Sequence, residues 1–220
     1  MVLPETEKAL IKKKFEVLVN DVELIVFTQE LECNFCKEAR ELVLELGSLS
    51  PRIRTKIYDF VKNGDEDLKY NIKKIPAIAI VGKSDHGIRF YGVPSGYEIN
   101  VLIEDILDVS RETTSLPENI KRLLSEIKKP VHFQVFVSPT CPYCPKAAKI
   151  AHQFAIENEK IRSDVIEMLE FPQLVQRYGV MSVPHIVINE DTSFSGAQPA
   201  EIFVEQIHLA LSRGFNPMYS

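Results

Sequence analysis

The sequence predicts an α/β protein made of two tandem copies of one unit, each a central mixed β-sheet flanked by helices. Three observations carry this expectation. All four cysteines stand in Cys-x-x-Cys pairs, Cys33-Asn34-Phe35-Cys36 and Cys141-Pro142-Tyr143-Cys144. Each pair follows an apolar, strand-like run and precedes a helix-like one. The second half also repeats the first at a fixed offset: Cys141 lies 108 residues after Cys33, and Pro184 lies 108 after Pro76. The same offset matches Ala39 to Ala147, Ile53 to Ile161, Asp59 to Glu167, Tyr70 to Tyr178 and Ile78 to Ile186. It then slips to 104 at Phe90 and Phe194 and at Gly92 and Gly196, as a shortened hairpin loop would produce. A constant internal period marks a repeated supersecondary unit.

The elements follow in order. After Pro4 an amphipathic helix is expected, with Ala9, Leu10, Val17 and Leu18 along its apolar stripe and Lys13 and Lys14 on a basic face. Residues 24–27 are continuously apolar, the pattern of a strand buried on both faces. A helix through Ala39, Leu42, Val43 and Leu46 follows the first cysteine pair and is expected to stop at Gly47. Strands are expected at 53–60, 77–81 and 88–91, with a turn at Asn63-Gly64, a short helix at 65–73 and a closing helix at 101–109. The last two strands, joined across 83–87, read as an antiparallel hairpin. Residues 110–116 form the junction, giving units at 1–113 and 114–220. Ser115-Leu116-Pro117-Glu118 has the form of a capping box for the helix that opens the second unit.

Composition narrows the function. The chain has 220 residues, 45% of them apolar, and a net charge of −5, which argues against nucleic acid and anionic membrane as partners. The apolar runs are too short to span a bilayer. Residues 1–14 lack the apolar core of an export signal, so a cytoplasmic location is expected. Four cysteines in such a chain point to metal binding or redox chemistry. Zinc sites built from two such pairs space them about 15–20 residues apart. Here each pair heads its own repeat, so redox chemistry is expected, with no metal.

Each half resembles a thioredoxin-fold domain: a strand, a Cys-x-x-Cys at a helix start, then Ile75-Pro76 or Val183-Pro184 opening a later strand. Cys-Pro-Tyr-Cys is the glutaredoxin form of the motif. Two such units, with the stretches His86-Gly87-Ile88-Arg89-Phe90-Tyr91-Gly92-Val93-Pro94-Ser95-Gly96 and Phe194-Ser195-Gly196-Ala197-Gln198-Pro199, resemble the glutaredoxin-like protein disulfide oxidoreductases of archaea and thermophilic bacteria. The resemblance covers essentially the whole chain. It implies cis peptide bonds at Pro76 and Pro184, with Ile75 and Val183 as backbone docking positions for a substrate strand. It implies protein disulfides as substrates, no bound cofactor, and electrons from a flavin-containing, NADPH-dependent thioredoxin reductase. The chain departs from its relatives at three points. The carboxylate that thioredoxin carries six residues before its first cysteine is replaced by Phe27 and Val135. Residues 196–199 lack the Gly-Gly and acidic residues with which glutaredoxins hold glutathione. The first motif has Asn34-Phe35 in place of either family's dipeptide. A glutathione-dependent glutaredoxin, or a redox-active second unit with a substrate-binding first unit, are the alternative readings.

The chemistry requires a thiolate on the leading cysteine of a pair. A helix N-terminus favours it by roughly 0.3–1 kcal/mol, under one pKa unit, so neighbouring residues must supply the rest. Pro142 suits the first helical position, Pro145 must fall within the first turn, and Tyr143 lies between the two sulfurs in sequence. Residues 28–41 hold Glu30, Glu32, Glu38 and Glu41 against Lys37 and Arg40; residues 136–149 hold Lys146 and Lys149 and no acid. Cations favour a thiolate and acids oppose it, so Cys141 is expected to be the more reactive leading thiol, with Cys144 resolving. Asp59 and Glu167 are expected at matched strand ends, and His185 is assigned no role.

Overall fold

Val22–Thr28 forms β1, and the continuous apolar run explains its place: Leu24 and Val26 face one layer of core, Ile25 and Phe27 the other. A strand buried on both faces belongs in the interior of a sheet covered by helices on both sides. The computed structural model describes residues 3–212; residues 1–2 and 213–220, over which the expected units extend, lie outside the described residues. The first half comprises α1 (Glu5–Phe15), β1, α2 (Cys36–Ser48), β2 (Ile53–Asp59), α3 (Gly64–Lys69), β3 (Ala77–Val81), β4 (Ile88–Tyr91) and α4 (Glu98–Arg111). The second repeats that order: α5 (Glu118–Ser125), β5 (Val131–Val137), α6 (Cys144–Glu157), β6 (Ile161–Glu167), α7 (Pro172–Tyr178), β7 (His185–Ile188), β8 (Thr192–Ser195) and α8 (Ala200–Ser212).

All eight strands join one mixed sheet in the order β2-β1-β3-β4-β6-β5-β7-β8. Within each half the first two strands are parallel and the last two form an antiparallel hairpin. The halves meet where β4 pairs in parallel with β6, Ile88 opposite Ser163 and Tyr91 opposite Ile166. Following the pairings from β1 through β3, β4 and β6 leaves β1 and β5 pointing the same way. Both cysteine pairs, each just past the end of one of these strands, therefore open on the same edge of the sheet.

Side chains of α1, α2, α4, α5, α6 and α8 bury one face of the sheet, and α3 and α7 flank the other. The seam is polar as well as apolar. Arg162 donates to the Tyr91 hydroxyl at 3.0 Å and the Asn71 carbonyl at 2.9 Å. Between the helices the buried Asp105 and His152 lie 2.6 Å apart, and Lys149 reaches Asp108 at 2.8 Å. Glu157 accepts from the Thr114 backbone N–H at 2.7 Å and fixes the junction.

Four local expectations are corrected. The buried residues of α1 are Ile11 and Phe15, whereas Leu10 and Val17 are exposed, because the helix is seated by its last turn and by Leu18 beyond it. Gly47 does not end α2, which runs on to Ser48; a Cβ there would lie 2.3 Å from Thr55 Cγ2, so the glycine serves close approach of helix to strand. Ser115 does not cap α5, whose flanking residue is Pro117; the Ser115 hydroxyl accepts from Gln153 Nε2 at 3.2 Å. Pro142 precedes α6, while Pro145 occupies its first turn as required.

Candidate active site

Each cysteine pair straddles the start of a helix. Cys36 begins α2 and Cys144 begins α6; both are buried, while Cys33 and Cys141 lie partly exposed in the loop before. Both pairs are closed as disulfides, with Cα atoms 5.5 Å apart. The first turn of a helix leaves backbone N–H groups unpaired, and sulfur is the acceptor available to them here.

Among the described residues such a donor reaches sulfur at the second site, whereas at the first the donor lies just past the end of β1. At the second, the Cys144 N–H donates to Cys141 Sγ at 3.1 Å, and Cys141 Sγ lies 3.7 Å from the Val183 carbonyl oxygen. At the first, the Gln29 N–H donates to the buried Cys36 Sγ at 3.4 Å. A difference in loop length accompanies this. Four residues lie between Thr28 and Cys33 but three between Val137 and Cys141, and Glu32 takes a left-handed φ of 59° in the longer loop. The extra residue also corrects the alignment by counting. Val135 pairs with Ile186 as Val26 pairs with Ile78, so Val26, not Phe27, is its counterpart. Both are apolar, and neither strand carries a carboxylate there.

The peptide bonds Ile75-Pro76 and Val183-Pro184 are cis. The loops after them match as well. The Gly92 N–H donates to the Pro76 carbonyl at 2.9 Å, and the Gly196 N–H donates to the Pro184 carbonyl at 2.9 Å. Both glycines have positive φ, 92° and 90°, which supports the slipped offset read from the sequence.

The charges around the sites are not those of the local sequence. Lys149 is engaged by Asp108, which leaves Lys146 as the exposed cation of the second motif. Asp59 caps the turn after β2, accepting from the Val61 and Lys62 N–H groups at 3.1 Å. Glu167, at the matched strand end, is buried: its Oε2 accepts from the Glu170 N–H at 2.8 Å, and burial pushes its carboxyl up. His185 lies beside Ser195, with Nδ1 2.9 Å from the hydroxyl.

Sequence reading missed Glu98 and Glu170. Glu98 opens α4 in the first half, yet it lines a small cavity with Val137, Val165 and Glu167 of the second. It is 1% exposed, and neither carboxyl oxygen meets a donor among the described residues. Burial pushes its carboxyl up to about 8, with Asp105 adding to the effect. The preceding Tyr97 N–H donates to the Pro139 carbonyl at 3.1 Å, which ties the start of α4 to the loop that carries Cys141. Glu170 of the second half accepts from the Val93 N–H of the first at 2.8 Å; burial pushes it up to about 7, and Glu167 and Glu38 add to this. One available signal is an acid at the start of a helix that goes on to bury Val101, Leu102, Ile103 and Ile106, but its partner surface lies in the other half.

Gly96 fits this contact closely. Its φ is +58°, and a Cβ would sit 2.2 Å from the Pro139 carbonyl oxygen. Gly96→Ala is expected to cost about 1–3 kcal/mol by overpacking and backbone strain. A lowered thermal midpoint together with slower exchange at the second site checks this.

A thioredoxin-type sheet with a Cys-x-x-Cys at each of two helix starts defines a thiol–disulfide oxidoreductase. The Thioredoxin domain family matches residues 131–208. A protein disulfide oxidoreductase from Aeropyrum pernix is 30% identical, with 98% of this chain and 97% of that one superimposing at a TM-score of 0.91. The chain belongs to the protein disulfide oxidoreductases. An N-terminal domain of alkyl hydroperoxide reductase AhpF from Enterococcus faecalis shares the fold: TM-score 0.86, 24% identity, 93% of this chain and 99% of that one. An NADH dehydrogenase of Bacillus subtilis is 26% identical over 91% of this chain and 37% of its own length. The chain thus spans about a third of the length of the curated relatives it matches.

Proposed function

We propose that the chain exchanges dithiols for disulfides with other proteins through both cysteine pairs, Cys141 being the more reactive leading thiol. The observation that carries the ranking is the hydrogen bond from the Cys144 N–H to Cys141 Sγ at 3.1 Å. In the reduced protein this donor and the N-terminus of α6 favour the thiolate at Cys141. The thiolate attacks one sulfur of a substrate disulfide; a Cys141–substrate S–S bond forms, and the other substrate sulfur leaves with the electron pair and takes a proton. Cys144 then attacks Cys141 Sγ, the first substrate sulfur leaves as a thiolate, and the Cys141–Cys144 disulfide is closed. The substrate disulfide is reduced by two electrons and the protein is oxidised by two.

Glu98 is the proton acceptor for Cys144 in this reading. It comes from the other half of the chain and lines a cavity with Val137, two residues beyond Val135 on the same strand. A carboxyl held near 8 is close to a free thiol at about 8.5, so the proton passes between them at little cost. Ile75-Pro76 and Val183-Pro184 dock the substrate backbone, the Val183 carbonyl beside Cys141 accepting from a substrate N–H. Pro142, Tyr143 and Lys146 tune the second site: the proline fixes the turn, the exposed tyrosine offers an apolar face, and the lysine adds positive charge. Cys33 and Cys36 act as a second exchange centre, so that units 1–113 and 114–220 each carry one.

Electrons are supplied by a thioredoxin reductase using NADPH and FAD. What supports this is the matching segment found within an NADH dehydrogenase of Bacillus subtilis and an alkyl hydroperoxide reductase of Staphylococcus aureus. The location is cytoplasmic; among the described residues no helix is long and apolar enough to cross a membrane. Protein reduced with dithiothreitol and freed of it is expected to convert about two insulin disulfides per chain to thiols. Conversion of none, with all four protein thiols retained, overturns the reading.

A further inference from the structure

The parallel course of β1 and β5 places both redox centres on one edge of the molecule. Between the two strands lie β3, β4 and β6, four strand steps in all. At about 4.8 Å per step the strands stand roughly 19 Å apart. Sheet twist of some 20–25° per step widens the gap at the strand ends to about 25 Å. The edge between and beside the centres carries exposed apolar side chains among its charged ones. Val61 and Leu169, at matched positions after β2 and β6, are 76% and 70% exposed. Phe35 and Tyr143, the third residues of the two motifs, are also exposed, as is Met181 before the second cis bond. Leu169 belongs to the loop whose Glu170 is fastened to Val93, so it sits on the ridge between the centres. Exposed apolar side chains that continue from two reactive sulfurs fit a non-native polypeptide better than a folded protein presenting one disulfide.

We propose that a single polypeptide carrying two cysteines engages both centres at once. With the second pair reduced and the first closed as a disulfide, the Cys141 thiolate attacks the polypeptide's own disulfide; a Cys141–substrate S–S bond forms, and the other substrate sulfur leaves with the electron pair. That thiolate attacks Cys33, a Cys33–substrate S–S bond forms, and Cys36 leaves as the thiolate of the broken Cys33–Cys36 bond, so that the intervening residues cross the ridge. The inference rests on the reading that both pairs exchange disulfides. Extended chain covers about 3.3–3.6 Å per residue, so about eight residues between the cysteines is the shortest spacing that reaches. Once one sulfur is joined, the second meets its partner at an effective concentration set by the tether, in the millimolar range for short flexible segments. Such a substrate is held at one site while the other works on it.

The full chain with Cys36→Ser and Cys144→Ser tests this. Each leading cysteine then forms a mixed disulfide that cannot be resolved. The probes are peptides whose two cysteines, about 3, 8 or 16 residues apart, each carry thionitrobenzoate in disulfide linkage. At each site the protein thiolate attacks the peptide sulfur, a peptide–protein S–S bond forms, and coloured thionitrobenzoate leaves with the electron pair of the broken bond. Single-cysteine peptides measure each site alone. The two longer spacings are expected to give one peptide per chain, joined at both cysteines, with a second release whose rate does not depend on peptide concentration. The shortest is expected to give two peptides per chain. Two peptides per chain at every spacing, with the second release proportional to concentration, overturns the bridging while leaving both sites reactive. Failure of Cys33 to react with single-cysteine peptides overturns the two-site reading and the bridging with it.

Discussion

Replacing Cys141 with serine is expected to lower insulin reduction by about tenfold or more, whereas Cys33→Ser leaves most of the activity. One pKa unit on the leading thiol corresponds to 1.36 kcal/mol. The start of α6 contributes roughly 0.3–1 kcal/mol, and a hydrogen bond to a charged group roughly 1.5–3 kcal/mol. Cys141 Sγ receives such a bond, from the Cys144 N–H at 3.1 Å. At the first site the bond goes to the resolving sulfur, from Gln29 to Cys36. The leading sulfur there belongs to a loop that also carries Glu30 and Glu32, and acids oppose a thiolate. Initial rates of insulin reduction by the two variants, with dithiothreitol as reductant, check the asymmetry. Equal losses would remove the ranking of the sites.

Glu98→Gln is expected to act on both stability and turnover. In the folded protein Glu98 keeps its proton to about 8, against 4.5 for the unperturbed group. Between those values the folded state holds a proton that the unfolded chain has released. Stability therefore falls as pH rises through that window and is level on either side of it. The cost at the upper end is on the order of a few kcal/mol. Glu170, pushed up to about 7, adds a loss of the same sign. Glutamine occupies the same space with no charge to form. Urea unfolding of the oxidised variant at pH 5 and pH 8 is expected to give more nearly equal stabilities than the parent shows. In catalysis the variant lacks the acceptor for the Cys144 proton, so release of substrate from the mixed disulfide slows by about 10²-fold. Attack by Cys141 is unaffected. A variant with parental pH dependence and parental release would remove Glu98 from the mechanism.

The parts of this molecule written in the sequence are those set by local pattern. The apolar run 24–27 predicts a strand buried on both faces, and β1 occupies the sheet interior between β2 and β3. The hairpin between β3 and β4 follows from two short apolar runs and a glycine-ended loop. The matched spacing of cysteine pairs and prolines predicts two related centres, and the matched bonds from Gly92 to Pro76 and from Gly196 to Pro184 bear out the slip of register between them.

What is illegible in the sequence depends on contacts between the halves. Residues 136–149 around Cys141 contain no acid, yet Glu98 and Glu167 arrive through the pairing of β4 with β6 and of β6 with β5. Lys149 counts as a free cation until α4 is seen to place Asp108 against it. The counterpart of Val135 is displaced by one residue because the loop before Cys33 is longer, a difference that spacing from the cysteine alone cannot show. Ser115 has the sequence of a cap but is drawn to Gln153 by the packing of the junction on α6. In each case a tertiary partner decides between local alternatives.

The most direct test of Cys141 as the leading nucleophile is the identity of the covalent intermediate. Reduced Cys144→Ser protein, with the first pair intact, is mixed with an oxidised protein substrate, quenched with acid and digested for mass spectrometry. A substrate peptide disulfide-linked to Cys141 is expected. A substrate linked only to Cys33, or no mixed disulfide while the substrate is nevertheless reduced, would contradict this assignment.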